Sequence, residues 1–69
     1  MRYLAVIEQG PTSWGAYVPD LPVCAAVGDS RAEVEQLIAE AVALYLETLA
    51  EQGAPLPPPT TSAFEIEVA

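Results

Sequence analysis

A single amphipathic segment, Ser30 to Gln52, limits what this chain can fold into. Its start is set by side-chain chemistry. Ser30 is a natural N-cap and Glu33 stands three residues on, the Ser-x-x-Glu capping box that satisfies orphaned backbone donors of a first helical turn. Asp29 adds negative charge where the helix dipole is positive. Apolar residues recur at Val34, Leu37, Ile38, Ala41, Leu44, Tyr45 and Leu49, with Thr48 among them, at the spacing of one helix face. Glu33, Gln36, Glu40, Glu47 and Glu51 fill the rest. Gly53 is placed as the residue just past the helix, and Pro55 stands where a helix cannot continue. Val42 and Leu46 widen the apolar sector beyond one packing face. They read either as breadth of the core face or as a second, intermolecular contact.

A chain of 69 residues is one domain, 1–69. A domain this small buries only about 60% of the surface of its unfolded chain, so it needs a staple. Cys24 is the only cysteine and there is no histidine, which removes an intrachain disulfide and a zinc site. Association is the staple that remains. Apolar residues make up 52% of the chain, enough to supply a subunit interface, so a homo-oligomer, dimer or tetramer, is expected.

Around the helix the sequence reads as strands. Tyr3–Glu8 is apolar on both parities, as in a strand covered on both faces or central in a sheet. Gly10-Pro11 punctuates a turn, and Trp14–Val18 follows as a second, antiparallel strand. Gly15 within it points to a bulge or a close backbone approach. Pro19 ends the ladder because it has no N–H to donate, leaving Asp20-Leu21-Pro22 as a stiff loop before a third strand at Val23–Gly28. After the helix, Pro55-Leu56-Pro57-Pro58-Pro59 reads as a strut returning the chain to the sheet. A last strand, Ala63–Val68, alternates strictly: Phe64, Ile66 and Val68 inward, Glu65 and Glu67 outward. The order is β-β-β-α-β, an α+β fold with one helix across one face of an antiparallel-rich sheet. The open sheet face is the natural place for a partner.

Charge and chemistry narrow the function classes. Ten acidic residues face two basic ones, a net charge of −8, which repels a phosphate backbone and argues against direct nucleic-acid binding. The same field attracts a basic protein. No histidine or lysine is available as a catalytic base, and Cys24 has no cationic neighbour in sequence, so it reads as a small buried hydrophobe. A residual metal-dependent nuclease would have to bring Glu8, Asp20 and Asp29 together. Gly28-Asp29-Ser30 holds too little glycine for a nucleotide loop. No cofactor and no catalysis are expected. The N-terminus lacks the features of a signal peptide, no stretch approaches the ~20 apolar residues of a membrane span, and a lone cysteine suits a reducing cytoplasm.

The most specific run is Gly15-Ala16-Tyr17-Val18-Pro19-Asp20-Leu21-Pro22, followed by Cys24, Gly28-Asp29-Ser30 and Glu33. Together with Glu40–Glu47 and Gly53-Ala54-Pro55-Leu56-Pro57 it resembles the HicB family of antitoxins over most of residues 3–59. The resemblance implies a partial ribonuclease H-like fold without that enzyme's activity. It also implies a partner: a small basic mRNA-cleaving toxin, HicA, with a double-stranded-RNA-binding-like fold. Where the family pattern has glycine before the cysteine this chain has Val23, so no positive-φ turn is expected there. Many members carry a C-terminal DNA-binding segment; none is expected here, and with it no direct operator binding. The loop and third strand, Asp20, Leu21, Cys24, Ala25, Ala26 and Val27, are the expected contact residues, because a proline-braced loop is preorganised. The alternative is an orphan homo-oligomeric binding domain that has lost its toxin.

Overall fold

The computed structural model describes residues 1–69. Three strands, β1 (Val6–Gln9), β2 (Trp14–Val18) and β3 (Leu21–Gly28), precede one helix, α1 (Arg31–Glu51). The strands form an antiparallel meander in the order β1-β2-β3, with α1 across one face: the α+β, β-β-β-α arrangement expected.

The helix begins and ends as its side chains dictate. The Ser30 hydroxyl accepts from the Glu33 N–H at 3.1 Å. The Glu33 carboxylate reaches back one residue further than the usual capping box, to the Asp29 N–H at 2.9 Å. Gly28 makes room for this, since a Cβ there would lie 2.7 Å from Glu33 Oε1 and 3.3 Å from the backbone N of Val34. At the other end Gly53 takes φ 68°. The Gly53 N–H donates to the Ala50 carbonyl at 3.1 Å and the Ala54 N–H to that of Leu49 at 2.9 Å, the paired bonds of a Schellman motif.

The core is small and fully apolar: Ala16, Val18, Leu21, Cys24, Val34 and Ile38. From the helix, Val34 and Ile38 are buried, while Ala41, Val42, Tyr45, Leu46 and Leu49 are half-buried. The packing stripe is therefore rotated slightly from the one read in sequence. Val42 and Leu46 pack against the core. Leu37 and Leu44, 37% and 66% exposed, fall outside it.

The sheet departs from expectation in four places. First, β1 is shorter than Tyr3–Glu8 and lies at an edge, not in the centre. Val6 pairs with Tyr17, so Ala5 would fall opposite Val18, where β2 gives way to Pro19. Second, β3 begins at Leu21, because Pro19-Asp20 is a tight turn that sets Leu21 opposite Val18. Third, the irregularity lies not at Gly15 but between Tyr17 and Val18. Pro22, Val23 and Cys24 have no partner on β2 there, which spares Pro22 the ladder N–H it lacks. Fourth, the strand expected at Ala63–Val68 does not form, and Phe64, Ile66 and Val68 are 85%, 73% and 82% exposed. Alternation marks the face a strand could bury, but a strand also needs an edge to pair with. Here the chain is held beside the β2–β3 turn at Thr60 and Thr61 and leaves without meeting one.

Candidate functional site

Because α1 covers one face only, the other face of the sheet is left open. The register determines what lies on it. Val6, Tyr17 and Ala25 stand side by side across the three strands, and Glu8, Gly15 and Val27 form the next row. They make a face that is apolar apart from the Tyr17 hydroxyl and the Glu8 carboxylate, whereas Val23, in the unpaired stretch of β3, borders a hollow on the α1 side with Ala41, Leu44 and Thr48. Tyr17, Val23 and Val27 are 43%, 69% and 70% exposed. The strand residues earn their place by β-propensity, and nothing in the monomer covers them.

The residues singled out in sequence divide between this face, the core and a turn. Ala25 and Val27 are exposed on the open face, and Ala26 is half-buried toward the helix. Leu21 and Cys24 are 1% and 2% exposed, so neither can touch a docking partner without opening the core. The Cys24 Sγ lies 3.9 Å from the Ala41 carbonyl, and burial pushes its thiol pKa up, away from a reactive thiolate. Val23 sits in β3 with φ negative.

Asp20 is committed within the chain. Its carboxylate accepts from the Thr60 N–H and hydroxyl at 2.8 and 2.9 Å, and from the Thr61 N–H and hydroxyl at 3.0 and 2.8 Å. These four bonds to the charged form, those from Thr61 foremost, lower the Asp20 pKa to about 2. The Tyr3 hydroxyl donates to the Pro57 carbonyl, fixing the strut one turn earlier. The proline segment thus returns to the sheet end as expected, and Asp20 is a clasp for it. Neither Tyr17 and Val23 as surface residues nor Thr60 and Thr61 as clasp donors stood out in the sequence. The adjacent threonines after a proline run were the only signal for the clasp.

The carboxylates of the nuclease alternative are dispersed. Glu8 and Asp29 lie toward the end of the sheet where Trp14 pairs with Gly28, and Asp20 lies at the opposite turn. No three His, Cys, Asp or Glu side chains are placed to hold a metal ion together. No helix is long and apolar enough to cross a membrane.

No curated protein and no solved structure gives a significant match to the chain. A family model does, over residues 3–67, and its description is the HicB_like antitoxin of bacterial toxin-antitoxin systems. That span takes in the whole meander, the helix, the strut and the clasp, so the chain belongs to the HicB-like antitoxin family.

Proposed function

We propose that this chain neutralises a small, basic, mRNA-cleaving toxin of the HicA type by binding it, without chemistry of its own. The observation that carries the reading is the uncovered apolar sheet face of Tyr17, Ala25 and Val27, on a member of an antitoxin family. An apolar centre of this kind supplies contact area. The net charge of −8 supplies long-range attraction for a cationic partner and competes with RNA phosphate for the same groups. The acid that repels nucleic acid leaves the chain without direct nucleic-acid binding in this reading. Self-association and a cytoplasmic setting, where the toxin's mRNA is found, belong to the same proposal, as does a partial ribonuclease H-like fold.

The test is a titration of a co-encoded basic toxin with the full chain at low and high salt, read as affinity and as protection of a reporter mRNA. Wild type is expected to bind and protect. Val27→Asp and Ala25→Asp, both at exposed positions, are expected to weaken binding by about tenfold or more, as at an interface centre. No complex at any salt overturns the proposal. Full protection by both variants moves the contact off the sheet face.

A further inference from the structure

The segment beyond the clasp and the side of α1 facing β1 are each incomplete. From Ala63 to Val68 the chain belongs to no strand or helix and alternates strictly in sequence, with Phe64, Ile66 and Val68 in water. The molecule measures 47 × 27 × 15 Å, and its radius of gyration of 13.6 Å exceeds the about 11 Å of a compact chain this long. Between β1 and α1 runs an apolar groove of about 610 Å³, walled by Ile7 and Tyr3 on one side and Ala39, Val42, Ala43 and Leu46 on the other. The free edge of β1 borders it. Ala39 and Ala43 are exposed there, and their small side chains leave room for larger ones.

We infer that residues 63–68 of one copy lie along β1 of a second copy, with Phe64, Ile66 and Val68 in that groove, and that the exchange is reciprocal. The inference rests on the self-association proposed above and not on toxin binding. Three observations favour a second copy as the occupant. The root of the arm is fixed by Asp20 and Tyr3, and from there the arm stands clear of its own groove with its apolar side chains exposed. Each chain carries one arm and one groove, so a two-fold exchange fills both and closes the assembly. The charges agree as well. Arg31, one of the chain's only two basic residues, lines the groove, and the other, Arg2, is adjacent in sequence to its lining residues Met1 and Tyr3. Glu35 also lines it, but is paired with Arg31 at 3.0 Å. Glu65 and Glu67 of the arm would alternate away from the apolar wall, toward water or the Arg31 end of the groove.

The experiment is sedimentation of the full chain against concentration, with Ile66→Asp altering the arm and Ala43→Glu altering the groove. Both positions are exposed in the monomer, so the fold is retained, and circular dichroism checks that it is. Wild type is expected to dimerise, and each variant alone to raise the dimer dissociation constant by about tenfold or more. The double variant Ile66→Asp with Ala43→Lys, in which opposite charges meet in both exchanged pairs, is expected to recover part of the lost dimerisation. A wild-type monomer at all concentrations overturns self-association itself. A dimer indifferent to both single variants, or a double variant no better than either of them, overturns the exchanged arm and leaves self-association standing.

Discussion

Asp20 shows how one side chain can hold a long-range contact without burying a charge. Four donors from Thr60 and Thr61 meet a half-exposed carboxylate, and its pKa falls to about 2. A lowered folded-state pKa means the clasp is stabilising above the ordinary carboxylate value of 3.8 and is lost as pH falls toward 2. The amide resonances of Thr60 and Thr61 are therefore expected to shift with a midpoint near pH 2, and Asp20→Asn to abolish that transition while leaving the helix intact. The caps give a second set of residue-scale outcomes. Ser30→Ala removes the acceptor for the Glu33 N–H and is expected to cost about 1 kcal/mol in denaturant unfolding. Gly53→Ala forces a Cβ into the left-handed region at φ 68°, at about 1 kcal/mol, with no new contact to offset it.

At the scale of elements, the helix and meander hold together through very few side chains. Ile38→Ala is expected to cost about 2–5 kcal/mol, a large share of the stability of a domain this size, whereas Leu44→Ala at an exposed position is expected to stay within about 0.5 kcal/mol. Urea denaturation of the two variants side by side checks the contrast. The helix was legible because its signals are local: the cap, the spacing and Gly53 lie within the segment they define. So was the meander, whose turns are marked by Gly10-Pro11 and Pro19. Strand ends were less legible, because they depend on the partner. Ala5 ends up outside β1 only because β2 stops at Val18. Leu21 joins β3 through a turn tighter than the prolines indicated. What the sequence could not sort is which of the candidate contact residues face outward: Ala25 and Val27 are exposed, while Leu21 and Cys24 are buried, and the irregularity at Pro22–Cys24 that separates them is a feature of pairing, not of composition.

For the whole molecule, one net charge has two opposite consequences. A complex with a basic toxin is expected to weaken as salt rises, since screening removes attraction. Self-association of two chains of charge −8 is expected to tighten over the same range, since screening removes repulsion. Salt titrations of the two equilibria, run in parallel, separate them by sign, and a melting temperature that rises with protein concentration would mark the second. The clasp has a further consequence, for the order in which the chain folds. Neighbouring strands and the helix meet through short connections, and contacts of that kind form early. The bonds from Thr60 and Thr61 to Asp20 span 40 and 41 residues, so closing that loop carries a larger entropic cost and is met only after the meander exists to receive it. The C-terminal segment is thus expected to be the last part gathered in and the first released, with faster hydrogen exchange at the Thr60 and Thr61 amides than in α1.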